Sequence, residues 1–135
     1  MMQSRDRSET IRVLLVEDHS MVRAGIRSLI DNEPDMVVCG ESSDSTDALA
    51  KLAALRPAVA TVDLNLGTES GLDVVRQMRA RDAALKIVVL SMHEESRFVE
   101  NAAAAGADGY VAKLAATQTL AATIRILMLP NSTAA

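Results

Sequence analysis

Short apolar runs alternate along the chain with longer segments in which apolar residues recur at helical spacing. Most of the short runs are continuously apolar and rich in β-branched residues, which is typical of strands buried on both faces of a parallel sheet. The predicted strands lie at 11–16, 36–39, 58–62, 87–90 and 110–112. Because helical segments separate them, the pattern predicts an α/β fold, a doubly wound five-stranded parallel sheet with five helices.

Residues that are common at helix ends predict where the five helices begin and end. The pattern predicts helices from Ser20 onward, at 44–55, after Ser70, at 94–105 and at 117–129. Ser20 and Asp44 are predicted N-caps, and Gly106 suits a helix C-terminus. Helical spacing predicts that the inward side chains include Val22, Ile26, Leu29, Ile30, Leu72, Val75, Met78, Leu120, Ile124, Leu127 and Met128.

Composition excludes several classes of protein. The chain has 14 Lys+Arg against 18 Asp+Glu, so we do not expect this segment to hold nucleic acid unaided. Cys39 is the only cysteine, which excludes an internal disulfide and favours a small buried apolar side chain at a strand end. No apolar run is long enough for a membrane span, and the N-terminus lacks a signal-peptide core. We therefore expect a soluble, cytoplasmic protein.

Polar side chains occur where the predicted strands end. One or two of them follow every predicted strand except the second: Glu17, Asp18, Asp63, Ser91 and Lys113. The carboxyl ends of parallel strands meet at one edge of the sheet, where open α/β sheets bind ligands. Three carboxylates in one place repel one another unless a cation lies among them, and an all-oxygen set of ligands favours Mg²⁺.

Four stretches of the sequence resemble the receiver domains of two-component response regulators, and the NarL/FixJ (LuxR-type) subfamily in particular. They read, in order, VLLVEDHSMVRAGIRSLI, VDLNLGTESGLDVV, VVLSMHEE and AGADGYVAK. The resemblance covers about residues 11–129, and the order and spacing of the four stretches make it specific. It implies the flavodoxin-like receiver fold and a signalling switch rather than a metabolic enzyme, with at most slow self-dephosphorylation.

The resemblance also implies a phosphorylation site. Asp63 matches the aspartate that accepts a phosphoryl group from a histidine kinase. Ser91 and Lys113 match the hydroxyl and the ammonium that bind phosphoryl oxygens. Tyr110 matches the aromatic switch residue that turns inward on activation, into space that Ser91 leaves as it moves toward the phosphate.

A Mg²⁺ site is the second implication of the resemblance. Asp18 matches the direct ligand of the metal, and Glu17 matches the acid that usually reaches it through water. Asn65 matches the residue that lends a backbone carbonyl, and Asp63 itself completes the set. Asn65 also stands where a phosphohydrolase with an aspartate nucleophile would need its second acid, so that alternative is disfavoured.

The resemblance divides the chain into an N-terminal extension at 1–10, a receiver at 11–129, and the start of a linker or tail at 130–135. Receivers of this subfamily normally precede a helix-turn-helix domain. We therefore expect transcription control and DNA contact through an output domain that this chain does not include. A stand-alone receiver and an interaction module that works without phosphorylation remain alternatives.

The chain departs from the family pattern at three positions. Gly67 stands where a proline is common, which favours a more mobile loop. Ala116 replaces the serine that usually caps the last helix, and Leu114 replaces an acid. Thr117 could shift the cap by one residue, but we expect a weaker start to that helix. None of these changes removes a residue implied in phosphorylation.

Two histidines and one apolar surface complete the set of candidates. His19 and His93 have no partner at metal-ligand spacing, so we expect loop residues, although His93 lies where the family tunes loss of the phosphate. On the last helix an apolar patch of Ala122, Ile126 and Leu129 lies opposite the core side. Such a patch favours contact with a second copy of the chain or with another domain.

Overall fold

The computed structural model describes residues 10–130, so nearly all of the predicted extension and tail lies outside the described residues. The strands are β1 Ile11–Val16, β2 Met36–Ser42, β3 Val59–Asp63, β4 Asn65–Leu66, β5 Glu69–Ser70, β6 Lys86–Ser91 and β7 Gly109–Ala112. Five of them form a parallel sheet in the order β2-β1-β3-β6-β7, which confirms the predicted fold.

Helices cover both faces of this sheet. They are α1 Ser20–Asp31, α2 Ser45–Leu55, α3 Gly71–Arg81, α4 Ser96–Ala105 and α5 Ala116–Leu127, with a 3₁₀ turn at Lys113–Ala115 before the last. Successive side chains of a strand point to opposite faces, so Val13 of β1 packs with α1 and α5 while Leu14 packs with α2, α3 and α4. Both faces are therefore buried, and ligands have access at the ends of the strands.

The helix ends match the sequence only in part. Asp44 caps α2 by accepting a hydrogen bond from the Asp47 N–H at 2.8 Å, and Gly106 ends α4 with φ +118°. Ser20, however, is the first residue of α1 rather than its cap. At α5 the cap position is Ala115, which makes no side-chain bond, and Thr117 lies inside the helix. The start of α5 therefore lacks a side-chain cap, as expected, and Thr117 does not supply one.

Three predicted side-chain environments are wrong. Val22 and Met128 are each 36% exposed, since Val22 lies on the solvent side of the first turn of α1 and Met128 lies beyond the end of α5. Cys39 lies within β2 rather than at a strand end, because pairing with β1 continues to Ser42. Its thiol is only half-buried, and this burial raises its pKa.

A short hairpin between β3 and α3 was not predicted. Strands β4 and β5 pair antiparallel, with Asn65 opposite Ser70 and Leu66 opposite Glu69. Gly67 turns the chain between them with φ +62°, a conformation that favours glycine. The buried side chain of Leu66 joins the core, so the segment after Asp63 is anchored to the rest of the domain.

Candidate functional site

The predicted polar residues lie together at the carboxyl edge of the sheet. Asp63 and Ser91 are the last residues of β3 and β6, while Glu17 and Lys113 directly follow β1 and β7. The register pairs Asp63 with Leu90 and Ser91 with Ala112, so neighbouring strands end at nearly the same level. The parallel topology therefore brings four strand ends to one place.

Lys113 lies between two buried carboxylates. Its Nζ is 3.0 Å from Oδ2 of Asp63 and 3.3 Å from Oε1 of Glu17. Asp63 and Glu17 are only 2% and 1% exposed. The backbone N–H of Asn65 donates to Oδ1 of Asp63 at 3.1 Å, and the N–H of His19 donates to Oε2 of Glu17 at 3.1 Å. One ammonium thus faces two buried acids, which leaves an excess of negative charge.

Three buried carboxylate oxygens of this site make no hydrogen bond among the described residues: Glu17 Oε1, Asp18 Oδ1 and Asp63 Oδ2. Two of these oxygens have only their ion pairs with Lys113 to offset the loss of water. Burial raises the pKa of Glu17, and the negative charge of Asp63 raises it further. The site is therefore short of positive charge.

A divalent cation would correct this shortage. Ligand atoms of Glu17, Asp18, His19 and Asp63 all lie within 4.8 Å of one another. Carboxylate and carbonyl oxygens are the ligands that Mg²⁺ prefers, and three buried carboxylate oxygens of these residues lack hydrogen bonds. The residues present therefore fit the metal that the sequence predicts.

His19 offers a further potential metal ligand, which was not predicted from the sequence. Its Nδ1 lies 3.4 Å from Oδ1 of Asp18 and 3.5 Å from Oε2 of Glu17, although its side chain is mostly exposed. The signal in the sequence was its position directly after the acid pair. No spacing rule detects it, because its neighbours come from the turn itself and from β3.

Two glycines let the main chain come close to these acids. A Cβ on Gly71 would lie 2.2 Å from the backbone oxygen of Asp63, closer than any side-chain carbon is found. A Cβ on Gly67 would lie 3.2 Å from Oδ2 of Asp18. Gly71 is therefore required for the chain to fold back beside Asp63, a role that the sequence pattern did not reveal.

The predicted switch residues lie at one side of the site. Ser91 is buried, and its Oγ accepts a hydrogen bond from the His93 N–H at 3.0 Å. The partly buried Tyr110 donates its hydroxyl to the backbone oxygen of His93 at 2.7 Å. His93 also stacks on Phe98 with ring centroids 4.3 Å apart, so it is better connected than a plain loop residue. The segment after β6 thus links Ser91 to Tyr110.

The candidate dimer residues lie away from this edge. Ile126 and Leu129 are 60% and 57% exposed, and Ala122 is exposed beside them. Leu114, which follows Lys113, is also exposed. The three predicted patch residues are therefore exposed, Ala122 and Ile126 on α5 and Leu129 just beyond its end.

None of the described helices is long and apolar enough to cross a membrane.

Comparison with known proteins identifies the family. The model of the response regulator receiver domain matches residues 13–125. The response regulator UvrY of Escherichia coli O157:H7 is 36% identical over 115 residues, which are 85% of this chain and 53% of UvrY. The DNA-binding transcriptional activator DevR/DosR of Mycobacterium tuberculosis is 34% identical over 76% of this chain and 48% of its own. The chain spans about half the length of these curated relatives.

Solved structures agree with this assignment. A LuxR-family two-component response regulator from Aurantimonas sp. SI85-9A1 is 34% identical with a TM-score of 0.83, over 93% of this chain and 94% of that one. The signal receiver domain of the putative response regulator NarL from Mycobacterium tuberculosis has a TM-score of 0.80 at 26% identity, over 87% and 94% of the two chains. The chain therefore belongs to the response-regulator receiver family, and its relatives are LuxR/NarL-type regulators.

Proposed function

We propose that Asp63 is the phosphoryl acceptor of this receiver. The observation that carries the proposal is the position of Asp63, which is buried at the end of a strand. Its Oδ2 lies 3.0 Å from Nζ of Lys113 and accepts no hydrogen bond from the described residues. A carboxylate in this position has an oxygen available for attack and an ammonium beside it. The N–H of Asn65 holds the other oxygen and so orients the group.

The reaction is an in-line transfer from a phosphohistidine. An oxygen of Asp63 forms a bond to phosphorus while the bond from phosphorus to the imidazole nitrogen breaks, and that nitrogen keeps the electron pair. Lys113 offsets negative charge on the phosphoryl oxygens, and the Ser91 hydroxyl donates to one of them. Such transfers depend mainly on positioning and charge stabilisation, which buried fixed groups supply.

Glu17, Asp18, Asp63 and the carbonyl of Asn65 would hold Mg²⁺. When bound, the metal neutralises negative charge on the acceptor and on the phosphoryl group. Glu17 and Asp18 contribute the carboxylates that attract it, since their buried oxygens lack hydrogen-bond donors.

Phosphorylation then acts on the segment that links Ser91 to Tyr110. The new group carries roughly two negative charges and additional acceptor oxygens, which draw the Ser91 hydroxyl and Lys113 toward it. Ser91 now accepts from the N–H of His93, whose carbonyl accepts from Tyr110. Movement of this segment releases Tyr110 to turn inward and alters the surface formed by α4, β7 and α5.

The proposed partners follow from this chemistry. A sensor histidine kinase supplies the phosphoryl group to this receiver in the cytoplasm, and a helix-turn-helix domain outside this chain contacts DNA. DevR/DosR, a relative, is by its name a DNA-binding transcriptional activator, which supports a transcriptional output.

The proposal also includes a homodimer through the surface of α5. Its basis is the exposed apolar patch of Ala122, Ile126 and Leu129. Replacing Ile126 and Leu129 by Ser should abolish association measured by light scattering, with and without phosphorylation. Unchanged association of the variant would contradict a contact through this patch.

Intact-mass spectrometry tests the central assignment. The chain is incubated with Mg²⁺ and acetyl phosphate, a small phosphodonor that needs no kinase. One phosphoryl adduct is expected on the unmodified chain and none on Asp63→Asn, while Asp73→Asn, a matched change at an exposed carboxylate, should retain the adduct. An equal adduct on Asp63→Asn, or none on the unmodified chain, would refute the proposal.

A further inference from the structure

The hairpin after Asp63 is held from one side by Glu69. Both oxygens of its carboxylate accept hydrogen bonds from Ser45: Oε1 from the backbone N–H at 2.9 Å, and Oε2 from the hydroxyl at 2.7 Å. Ser45 is the first residue of α2, where backbone N–H groups have no partner inside the helix. A carboxylate at a helix N-terminus is also favoured by the helix dipole. Glu69 therefore forms a charge-assisted, two-point contact with α2.

This contact is distinct from the cap of the helix. Asp44 already caps α2 by accepting from the N–H of Asp47. The helix thus has a cap of its own, and Glu69 adds a link to a different part of the chain. The link joins the start of α2 to the hairpin, across 24 residues of sequence.

The other side of the hairpin faces the metal-ligating acids. Its turn residue Gly67 lies so close to Asp18 that a Cβ would be 3.2 Å from Oδ2. Glu69 pairs with Leu66 across the hairpin, and Ser70 pairs with Asn65, whose N–H binds Asp63. The hairpin is therefore fixed between α2 and the site, and it carries the Asn65 carbonyl that the proposed function assigns to the metal.

We propose that Glu69 is a positioning residue of the phosphorylation site, which acts through the Ser45 contact to hold the hairpin, and with it Asn65, in place for the metal. This inference rests on the proposed function. It also explains how a loop with Gly67 in place of the common proline keeps a defined shape. Residues that hydrogen-bond to metal ligands commonly tune the affinity for the metal, because they fix the orientation of the ligands. Glu69 acts one step further out, since its contact with Ser45 holds the hairpin that carries Asn65.

Magnesium affinity separates this role from a merely structural one. Isothermal titration of the unphosphorylated chain with MgCl₂ should give a dissociation constant about fivefold larger for Ser45→Ala and for Glu69→Gln than for the unmodified chain. Ser45→Ala changes no charge, so a weaker affinity in that variant cannot come from electrostatics alone. Amide hydrogen exchange at Asn65 and Gly71 should be faster in both variants.

Two controls complete the experiment. Asp73→Asn removes one exposed carboxylate from the first turn of α3, next to the hairpin, without touching the Ser45 contact, and should leave the affinity within about twofold. In the double variant Ser45→Ala, Glu69→Gln, the loss should be no larger than in Glu69→Gln alone, because Ser45→Ala removes only the hydroxyl bond of the same contact.

The outcomes distinguish the two proposals. If Ser45→Ala and Glu69→Gln lower the unfolding temperature but bind Mg²⁺ as the unmodified chain does, Glu69 only supports α2 and the inference is wrong. If the unmodified chain itself binds no Mg²⁺, the metal site of the proposed function is wrong. The inference about Glu69 is then wrong as well, since it assumes that site. Additive losses in the double variant would also overturn the inference, since the two residues would then act separately.

Discussion

The two edges of the sheet hold charge in opposite ways. At the amino edge Arg79 donates to four backbone oxygens and to the carboxylate of Asp108, so one cation has partners in excess. At the carboxyl edge Lys113 is shared by Glu17 and Asp63, and buried oxygens there lack donors. Arginines with many acceptors hold loops in place, whereas buried carboxylate oxygens without hydrogen-bond donors favour the approach of a cation, as the proposed function requires.

Other arginines repeat the pattern of the amino edge. Arg12 donates to the backbone oxygens of Leu55 and Arg56 at the end of α2, where helix carbonyls lack partners. Arg125 of α5 binds the carboxylates of Glu33 and Asp35 in the loop before β2. The loops at this edge are thus tied to helices. At the other edge Glu41 pairs with Arg23 and Arg27, but Glu17 and Asp63 share the single ammonium of Lys113.

The largest expected effect is the loss of the Arg79 contacts. Arg79→Ala should lower the free energy of unfolding by about 3 kcal/mol, because several charge-assisted hydrogen bonds are lost together and buried acceptors lose donors. Urea unfolding followed by circular dichroism measures the change. Arg81→Ala is the control, since Arg81 is exposed and, among residues 10–130, donates a hydrogen bond to the backbone oxygen of Gln77 in its own helix. Equal effects of the two variants would contradict the contrast between the edges.

Magnesium should stabilise the carboxyl edge. At ten times its dissociation constant, MgCl₂ should raise the free energy of unfolding by about 1.4 kcal/mol, because the metal binds the folded chain alone. Thermal unfolding with and without the metal measures this, and removal by a chelator should reverse it. Asp18→Asn should lose the effect, since the unpaired Asp18 oxygen supplies a ligand. Equal stabilisation of both chains would place the metal elsewhere.

Removal of the Asp63 charge should stabilise the chain when no divalent ion is present. Asp63→Asn should raise the free energy of unfolding by about 1 kcal/mol, because two buried carboxylates then no longer repel and Lys113 keeps Glu17 as its partner. Urea unfolding in chelator-treated buffer measures the free energy of unfolding of both chains. Asp73→Asn, at an exposed carboxylate, should change this free energy little. A destabilised Asp63→Asn would mean that Asp63 and Lys113 form a pair that stabilises the fold.

The smallest expected effect is a pH dependence at the amino edge. The hydrogen bonds from Arg125 lower the pKa of Asp35 below its usual 3.8. Because the folded value is the lower one, this contact contributes fully above pH 3.8 and is lost as the pH falls through the depressed value. Asp35→Asn should therefore be slightly less stable than the unmodified chain at neutral pH, with a difference that shrinks in acid. A constant difference in urea unfolding across this range would contradict the assignment.

The strands and the site residues at their ends were predictable because parallel strands leave a strong local signal. Continuous apolar runs mark β1, β3 and β6, and each polar residue that ends a run must lie at the carboxyl edge. Lys113 and Asp63 could thus be placed together from sequence alone. The 3.0 Å contact between them and the lack of a hydrogen bond at Asp63 Oδ2 were not predictable, since they depend on side-chain packing.

The predictions failed where side-chain burial depends on long-range packing. Helical spacing predicted that Val22 and Met128 point inward, but both are exposed. Spacing alone does not show where a helix lies over the sheet or where it ends. Strand β2 continued past its apolar run because hydrogen bonds to β1, rather than side chains, define it. The hairpin after Asp63 was missed because two-residue strands have no measurable periodicity.

The sequence by itself determined the order of strands and helices, the acid-rich edge and the kinship to receivers, because these depend on local patterns and on motifs that stand in one order. Tertiary structure alone decided how charge is shared. It placed Lys113 between two buried acids, set Gly67 against Asp18, and joined Glu69 to Ser45 across the chain. The physical reason is that burial and hydrogen bonding are properties of the assembled fold, which residues distant in sequence create together.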